Sequence, residues 1–138
     1  MKFLPIAILA LSIFLFSCKP DKEPVKPEPS MTPPEWLIGS WLHSDSTGVN
    51  EKMIVSTDDI VLERFVSTGK TSLSYIDSCK TNDLELSDYI KYNSYYNLEF
   101  TDKNKETNLV YYAKIGGSEI RVINEVSPTP KTFLKEEN

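Results

Sequence analysis

Residues 95–124 read YYNLEFTDKNKETNLVYYAKIGGSEIRVIN, three apolar-rich runs separated by two polar turns. In the first run every second residue is apolar, which is typical of a strand with one buried face: Tyr96, Leu98 and Phe100. Gly116-Gly117 is a hairpin signal, and the run after it alternates in the same way, with Ile120 and Val122 facing a core. This stretch therefore predicts three consecutive antiparallel strands.

The same pattern extends over most of the chain after residue 35. Short runs rich in β-branched and aromatic residues recur at 37–42, 51–56, 60–66, 71–76, 109–115 and 132–135. Residues 81–93 fit both helical and strand spacing, and we expect a loop or a short helical turn there. Short strands joined by tight turns predict an all-β antiparallel meander. Such a sheet removes its exposed edges by closing into a small barrel, with a β-sandwich as the alternative.

The N-terminus has the features of a secretory signal. Met1-Lys2 gives a basic start, and residues 3–16 are apolar apart from Pro5 and Ser12. A helix of that length spans about 21 Å, which is too short for a hydrocarbon core of roughly 30 Å. We therefore expect residues 1–17 to be a signal peptide rather than a membrane helix.

Residues 15–18, Leu-Phe-Ser-Cys, resemble the lipobox of bacterial lipoproteins. The resemblance implies that Cys18 is joined to a diacylglycerol and becomes the acylated first residue, anchored by roughly 0.8 kcal/mol for each buried CH₂ group. A chance cysteine at the end of an ordinary secretory signal is the alternative. Lys19 stands where Gram-negative lipoproteins retained at the inner membrane carry aspartate, so the resemblance favours the outer membrane and leaves its periplasmic and surface faces open.

Residues 18–34 separate this anchor from the predicted domain at 35–138. They hold six of the nine prolines, and their three lysines balance two glutamates and one aspartate. Such a composition favours extended polyproline conformation and buries little apolar surface, so it predicts a semi-rigid tether.

Composition excludes several function classes. The chain carries 15 basic and 20 acidic side chains, a net charge of −5, which argues against a nucleic-acid partner and against electrostatic adhesion to anionic lipid. Once Cys18 is lipidated, Cys79 lacks a disulfide partner, and we expect it to be a small buried residue. His43 is the only histidine, and the calcium-like run at 102–106 lacks the glycine and glutamate of a true calcium loop. We therefore expect no enzyme activity, cofactor or metal site.

Residues 34–41, PEWLIGSW, resemble the opening of lipocalins and their relatives, whose first strand carries Gly-x-Trp. The match is best to small lipocalin-like bacterial lipoproteins. The resemblance implies a barrel in which Trp41 packs across one end and Gly39 permits close backbone approach. It also implies a carboxy-terminal arginine that covers the tryptophan, for which Arg121 is a candidate.

Two functions follow as expectations. The first is a lipid-anchored, non-catalytic barrel that binds a small apolar or amphipathic ligand. Eight inward side chains would line its interior: Trp41, Ile54, Leu62, Tyr96, Leu98, Phe100, Ile120 and Val122. The second is an envelope protein-interaction or inhibitor module with a solid core, which would bind through some of its seven tyrosines and its loops.

Overall fold

Nine strands and one short helix follow one another in a computed structural model that describes residues 24–46 and 50–137. Cys18 and the predicted signal peptide lie outside the described residues. The elements are β1 (Gly39–Ser44), β2 (Asn50–Val55), β3 (Ile60–Val66), β4 (Gly69–Ser74), α1 (Tyr75–Asn82), β5 (Glu85–Lys91), β6 (Tyr95–Thr101), β7 (Thr107–Lys114), β8 (Glu119–Asn124) and β9 (Ser127–Lys135).

The strands form one antiparallel sheet in the order β4-β3-β2-β1-β9-β8-β7-β6-β5. Every hydrogen-bonded pair is formed by strands adjacent in sequence except β1 and β9, which meet where Trp41 faces Lys135 and Leu42 faces Leu134. The sheet curls into a half-barrel, so the predicted all-β meander is confirmed and the architecture fits a lipocalin-like barrel. A single sheet rules out the alternative of a two-sheet sandwich.

The N-terminal segment packs beside α1 and β5, the part of the chain that leads from one edge strand to the other. Lys26 forms an ion pair with Asp83, the residue that caps the C-terminal end of α1. The backbone N–H of Thr32 donates to a carboxylate oxygen of Asp88 on β5 at 2.6 Å. Met31 is 4% exposed and belongs to the core. The last residues of the segment assigned to the tether therefore contribute buried apolar surface.

Residues 81–93 differ from expectation, because α1 begins at Tyr75 and residues 85–91 form the edge strand β5. The helix start is fixed by contacts that local spacing does not reveal. The Ser74 hydroxyl accepts from the N–H of Asp77 at 3.0 Å and donates to Asp59 at 2.6 Å. The other Asp59 oxygen accepts from the N–H of Ile76 at 3.1 Å. A carboxylate in the β2–β3 turn thus helps to cap the helix.

The last strand is longer than predicted and includes both prolines of the domain, Pro128 and Pro130. Proline supplies no N–H to a ladder, so in sheets it is confined to edges and irregular positions. The β8–β9 register is shifted between Val122 and Asn124, next to the prolines, which is how the strand accommodates them.

Trp41 belongs to the core of the half-barrel. It is 1% exposed, and its indole N–H donates to the carbonyl of Leu37 at 2.8 Å. The ammonium of Lys135 lies 5.3 Å from the centre of the Trp41 ring. The expectation that Arg121 covers this tryptophan is wrong, because Arg121 is exposed on β8 and alternates with the buried Ile120.

Gly39 adopts φ +131°, a conformation that side-chain-bearing residues rarely take. An added Cβ would meet only the flexible Lys135 side chain, at 3.4 Å. The backbone conformation, more than close approach of another chain segment, therefore explains the glycine of Gly-x-Trp.

No helix in the described ranges 24–46 and 50–137 is both long enough and apolar enough to cross a bilayer.

Candidate functional site

A cavity of about 230 Å³ lies on the concave side of the sheet. Its inner part is lined by apolar and aromatic side chains from β2, β3, α1, β7, β8 and β9: Met53, Leu62, Tyr75, Val110, Tyr112, Val122 and Phe133. Its outer part is lined by charged and polar side chains: Glu51, Arg64, Asn124, Ser127, Thr129 and Lys131. The cavity is therefore amphipathic, with its polar end toward the ends of the strands.

The charged end is built around Glu51, a carboxylate whose side chain is only 4% exposed. Arg64 faces it across the β2–β3 ladder, and its Nε and Nη2 atoms both lie 2.9 Å from Glu51 Oε1. Lys131 reaches it from β9, with its ammonium 2.8 Å from Oε1 and 2.7 Å from Oε2. We call these three residues the mouth cluster.

The mouth cluster keeps Glu51 ionised. Burial by itself raises the pKa of a carboxyl group, because it removes water from the charged form. Here the hydrogen bonds and charges of Lys131 and Arg64 outweigh burial, and the pKa of Glu51 is lowered from the ordinary 4.5. The two cations keep contact with solvent, with Arg64 51% and Lys131 40% exposed in their side chains.

A line of tyrosine hydroxyls continues from the mouth cluster into the core. Loss of hydration raises the pKa of the partly buried Tyr75, and the charge of Glu51 raises it further. The Tyr75 and Tyr112 hydroxyls are close enough to influence each other, and burial raises the pKa of Tyr112 well above its usual value. Behind them the Tyr96 hydroxyl donates to Asp88 at 2.9 Å, and burial raises its pKa as well.

Tyr112 differs from Tyr96 because no protein group in the described ranges forms a hydrogen bond of good geometry with its hydroxyl. The Tyr75 hydroxyl is a neighbour rather than a partner, since a hydrogen bond weakens steeply once its distance or angle departs from the normal range. Tyr112 is fully buried and lines the cavity, so this unpaired hydroxyl borders its apolar end.

The eight predicted lining residues separate into three groups. Leu62 and Val122 line the cavity. Five are core side chains or pack against the core: Trp41, Tyr96, Leu98, Phe100 and Ile120. Ile54 alternates with the buried Met53 and Val55 and therefore lies on the opposite face of β2, away from the cavity.

The sequence contained a signal for two of the missed charged residues, Arg64 and Lys131, but not for Glu51, because the inward face of β2 could not be assigned from sequence. Glu51 alternates with Met53 on β2, Arg64 with Leu62 on β3, and Lys131 with Phe133 on β9. Each charged side chain therefore continues the inward face of a strand, where an apolar residue is the norm. Three strands with a charge at one end of the inward face indicate a polar cavity end.

A second concave surface lies on the outer face of β5, β6 and β7. It is a groove of about 530 Å³ lined by Tyr89, Lys91, Tyr92, Tyr95, Asn97 and Tyr111, which we call the tyrosine groove. Tyr92 is 80% exposed, and Tyr89 and Tyr95 are each 45% exposed. The amide oxygen of Asn97 is buried between these rings without a hydrogen-bond partner among the residues described.

The remaining candidate residues have structural roles. His43 Nδ1 lies 2.7 Å from the carbonyl of Thr132, and its ring lies 5.3 Å from that of Phe133. Cys79 is 1% exposed, as expected for a small core residue, and burial raises the pKa of its thiol. Asp102 accepts the N–H groups of Asn104 and Glu106 within its own loop. Within ranges 24–46 and 50–137, His, Cys, Asp and Glu form no group of three suited to a metal ion.

No protein family model matches the chain, and comparison with curated proteins and with solved structures finds no significant match.

Proposed function

We propose that this chain is a lipid-anchored, lipocalin-like protein of the outer membrane that binds a small apolar or amphipathic ligand and catalyses no reaction. The observation that carries the binding proposal is the cavity of about 230 Å³. If each non-hydrogen atom of a ligand takes roughly the 30 Å³ of a water molecule in the liquid, this space holds about eight such atoms. An apolar cavity of about 150 Å³ is already large enough to bind benzene in another protein.

The anchoring part of the proposal rests on residues 15–18, which resemble a lipobox, and on Lys19 after the cysteine. Cys18→Ala is expected to release the chain from membranes and to abolish incorporation of radioactive palmitate. Cys79→Ala is the matched control, because the buried Cys79 thiol is not in a lipobox. Undiminished palmitate labelling of Cys18→Ala would refute lipidation at this position.

Ligand binding is tested by purifying the full chain from membranes, denaturing it and analysing released small molecules by mass spectrometry. Val122→Phe fills the cavity from β8, and Ile123→Phe adds the same ring on the opposite face of that strand. We expect the wild type and Ile123→Phe to release the compound and Val122→Phe to release none. Since overpacking costs about 1–3 kcal/mol, a thermal unfolding curve must first show that both variants fold. A compound that persists in folded Val122→Phe does not occupy this cavity.

The tyrosine groove supports a second candidate, an envelope protein-interaction module. Tyrosine is enriched where proteins bind proteins, because its ring gives contact area and its hydroxyl gives a hydrogen bond. A photo-crosslinking amino acid at Tyr92 in the groove is compared with one at Ile115, which is 49% exposed in the β7–β8 turn. A defined partner cross-linked from Tyr92 and lost on Tyr95→Ala would favour this function. Equal cross-linking from Ile115 would reject it.

A further inference from the structure

We infer that the ligand of the cavity is a small amphipathic anion whose carboxylate sits against Arg64 and Lys131 while its apolar part lies between Met53, Leu62 and Val122. This inference rests on the proposed ligand-binding function and specifies the chemical class of the ligand.

The first support is the charge of the cavity lining. Of the described side chains that line it, two are cationic and one is anionic, so the mouth cluster carries one positive charge more than Glu51 can balance. A carboxylate from a ligand would bring the lining to neutrality.

The second support is the number of free donors. Arg64 and Lys131 together carry eight N–H donors. Their contacts with Glu51 account for four of these: Arg64 Nε and Nη2 to Oε1, and Lys131 to both oxygens. Among the contacts of the described residues, four N–H groups therefore remain available to other acceptors. Asn124, Ser127 and Thr129 line the same end and add neutral hydrogen-bonding groups.

The third support is the position of these donors relative to the apolar lining. The inward face of each of three strands changes from apolar to charged along its length: Met53 to Glu51, Leu62 to Arg64, and Phe133 to Lys131. The partly exposed cations mark the end that a ligand head group can reach from solvent. A molecule with an apolar tail and an anionic head matches this order, whereas a cationic head would meet two like charges.

Three probes that share a six-carbon chain test the inference: hexanoate, hexan-1-ol and hexylamine. Hexanoate has eight non-hydrogen atoms, about the number that the cavity holds. The full chain is placed in lipid nanodiscs with ¹³C-methyl-labelled methionine, and each probe is titrated by NMR. The Met53 methyl group reports on the cavity, and Met31, buried outside the lining, is the internal control.

We expect hexanoate to bind at least tenfold more tightly than hexan-1-ol. We expect hexylamine to leave the Met53 methyl signal unshifted. Lys131→Met is expected to lower the affinity for hexanoate at least tenfold and to leave the affinity for hexan-1-ol unchanged. Lys70→Met is the matched control, because it removes a cation paired with Glu63 that does not line the cavity. Arg64→Met replaces Lys131→Met if the latter does not fold.

Glu51→Gln gives the sharpest contrast. It frees both cations from a competing carboxylate, so hexanoate is expected to bind at least threefold more tightly than to the wild type. If the mouth cluster has a purely structural role, both Glu51→Gln and Lys131→Met will instead bind hexanoate and hexan-1-ol more weakly than the wild type does.

Two failures are distinguishable. Equal affinity for hexanoate and hexan-1-ol, or a preference for hexylamine, overturns the anionic class but leaves the cavity a ligand site. If no probe shifts Met53 although a compound is released from the purified chain, the anionic class is again wrong. If no probe binds and no compound is released, the proposed function fails as well.

Discussion

Replacing Tyr112 by phenylalanine should stabilise the protein. The substitution removes a single hydroxyl from a side chain that is fully buried, and that hydroxyl has no hydrogen-bond partner in the part of the chain that the structure describes. A buried polar group without a partner costs about 1–3 kcal/mol on the scale of protein mutations. The nearby Tyr75 hydroxyl offsets part of that penalty. We therefore expect the free energy of unfolding to rise by about 1 kcal/mol, which corresponds to a melting temperature higher by roughly 4–8 °C.

Tyr96→Phe is the matched control for this substitution. Both rings belong to the core, and their centres are 6.0 Å apart. The Tyr96 hydroxyl, unlike that of Tyr112, donates to the carboxylate of Asp88. Its removal should lower the free energy of unfolding by about 1.5 kcal/mol, the lower limit for a hydrogen bond to a charged group, because Asp88 still accepts the N–H of Thr32.

Urea denaturation of the two variants and the wild type, followed by tryptophan fluorescence, measures both changes. With unchanged denaturant dependence, the midpoint should move up for Tyr112→Phe and down for Tyr96→Phe. A loss of about 1 kcal/mol or more in Tyr112→Phe would refute the reasoning, because it would mean that the hydroxyl has a hydrogen-bonding partner in the folded protein.

Three further substitutions test the mouth cluster, the core around Trp41 and the N-terminal segment. Because the pKa of Glu51 is lowered in the folded state, its contribution to stability is present above about pH 4.5 and is lost as the pH falls through the folded pKa. At pH 7 Glu51→Gln should lower the free energy of unfolding by about 2 kcal/mol, after allowing for the exposure of the two cations. In denaturation curves this difference from the wild type should shrink below pH 4.5. A difference that does not change with pH would contradict the pairing of Glu51 with Arg64 and Lys131. Trp41→Ala should lower the free energy of unfolding by about 3–5 kcal/mol, and Trp36→Ala, which removes a half-buried ring, by clearly less. Met31→Ala should cost about 2 kcal/mol because Met31 is buried, whereas Val25→Ala, at a side chain 93% exposed, should stay within about 0.5 kcal/mol of the wild type in the same assay.

The order of the strands could be predicted from sequence because local signals agreed with the tertiary structure. The predicted bounds of the strands at 60–66, 95–101 and 119–124 match β3, β6 and β8. In a meander each strand pairs with its neighbour in sequence, so alternation and turn chemistry carry most of the topology. The β1–β9 pair joins the two ends of the domain, and no local signal specifies it.

The inward face of β2 could not be assigned from sequence. Met53, Ile54 and Val55 are consecutive apolar residues, and Glu51 and Lys52 before them are both charged. Two assignments are possible, with either Glu51, Met53 and Val55 or Lys52 and Ile54 facing inward. Each of them buries one charge and at least one apolar residue. The phase is decided by partners remote in sequence, because Glu51 has two cations on the inner side and Lys52 pairs with Glu136 on the outer side.

The place of the cavity follows from where the β1–β9 ladder ends. In the described residues these two strands pair at two positions, Trp41 and Leu42. Beyond them the Thr132 carbonyl is contacted by the side chain of His43 and not by a backbone N–H of the ladder. From there β9 carries its two prolines and the irregular register with β8.

Where the ladder is lost, Lys131 reaches across to Glu51 on β2 and joins strands that no backbone hydrogen bond connects. The same ion pair therefore stabilises the end of the half-barrel and forms the polar end of the cavity. A ligand carboxylate would compete with Glu51 for Lys131, so binding and the strength of this contact between β2 and β9 should be coupled. It follows that Glu51→Gln should separate the two effects, with weaker folding and tighter binding of an anion in the same variant.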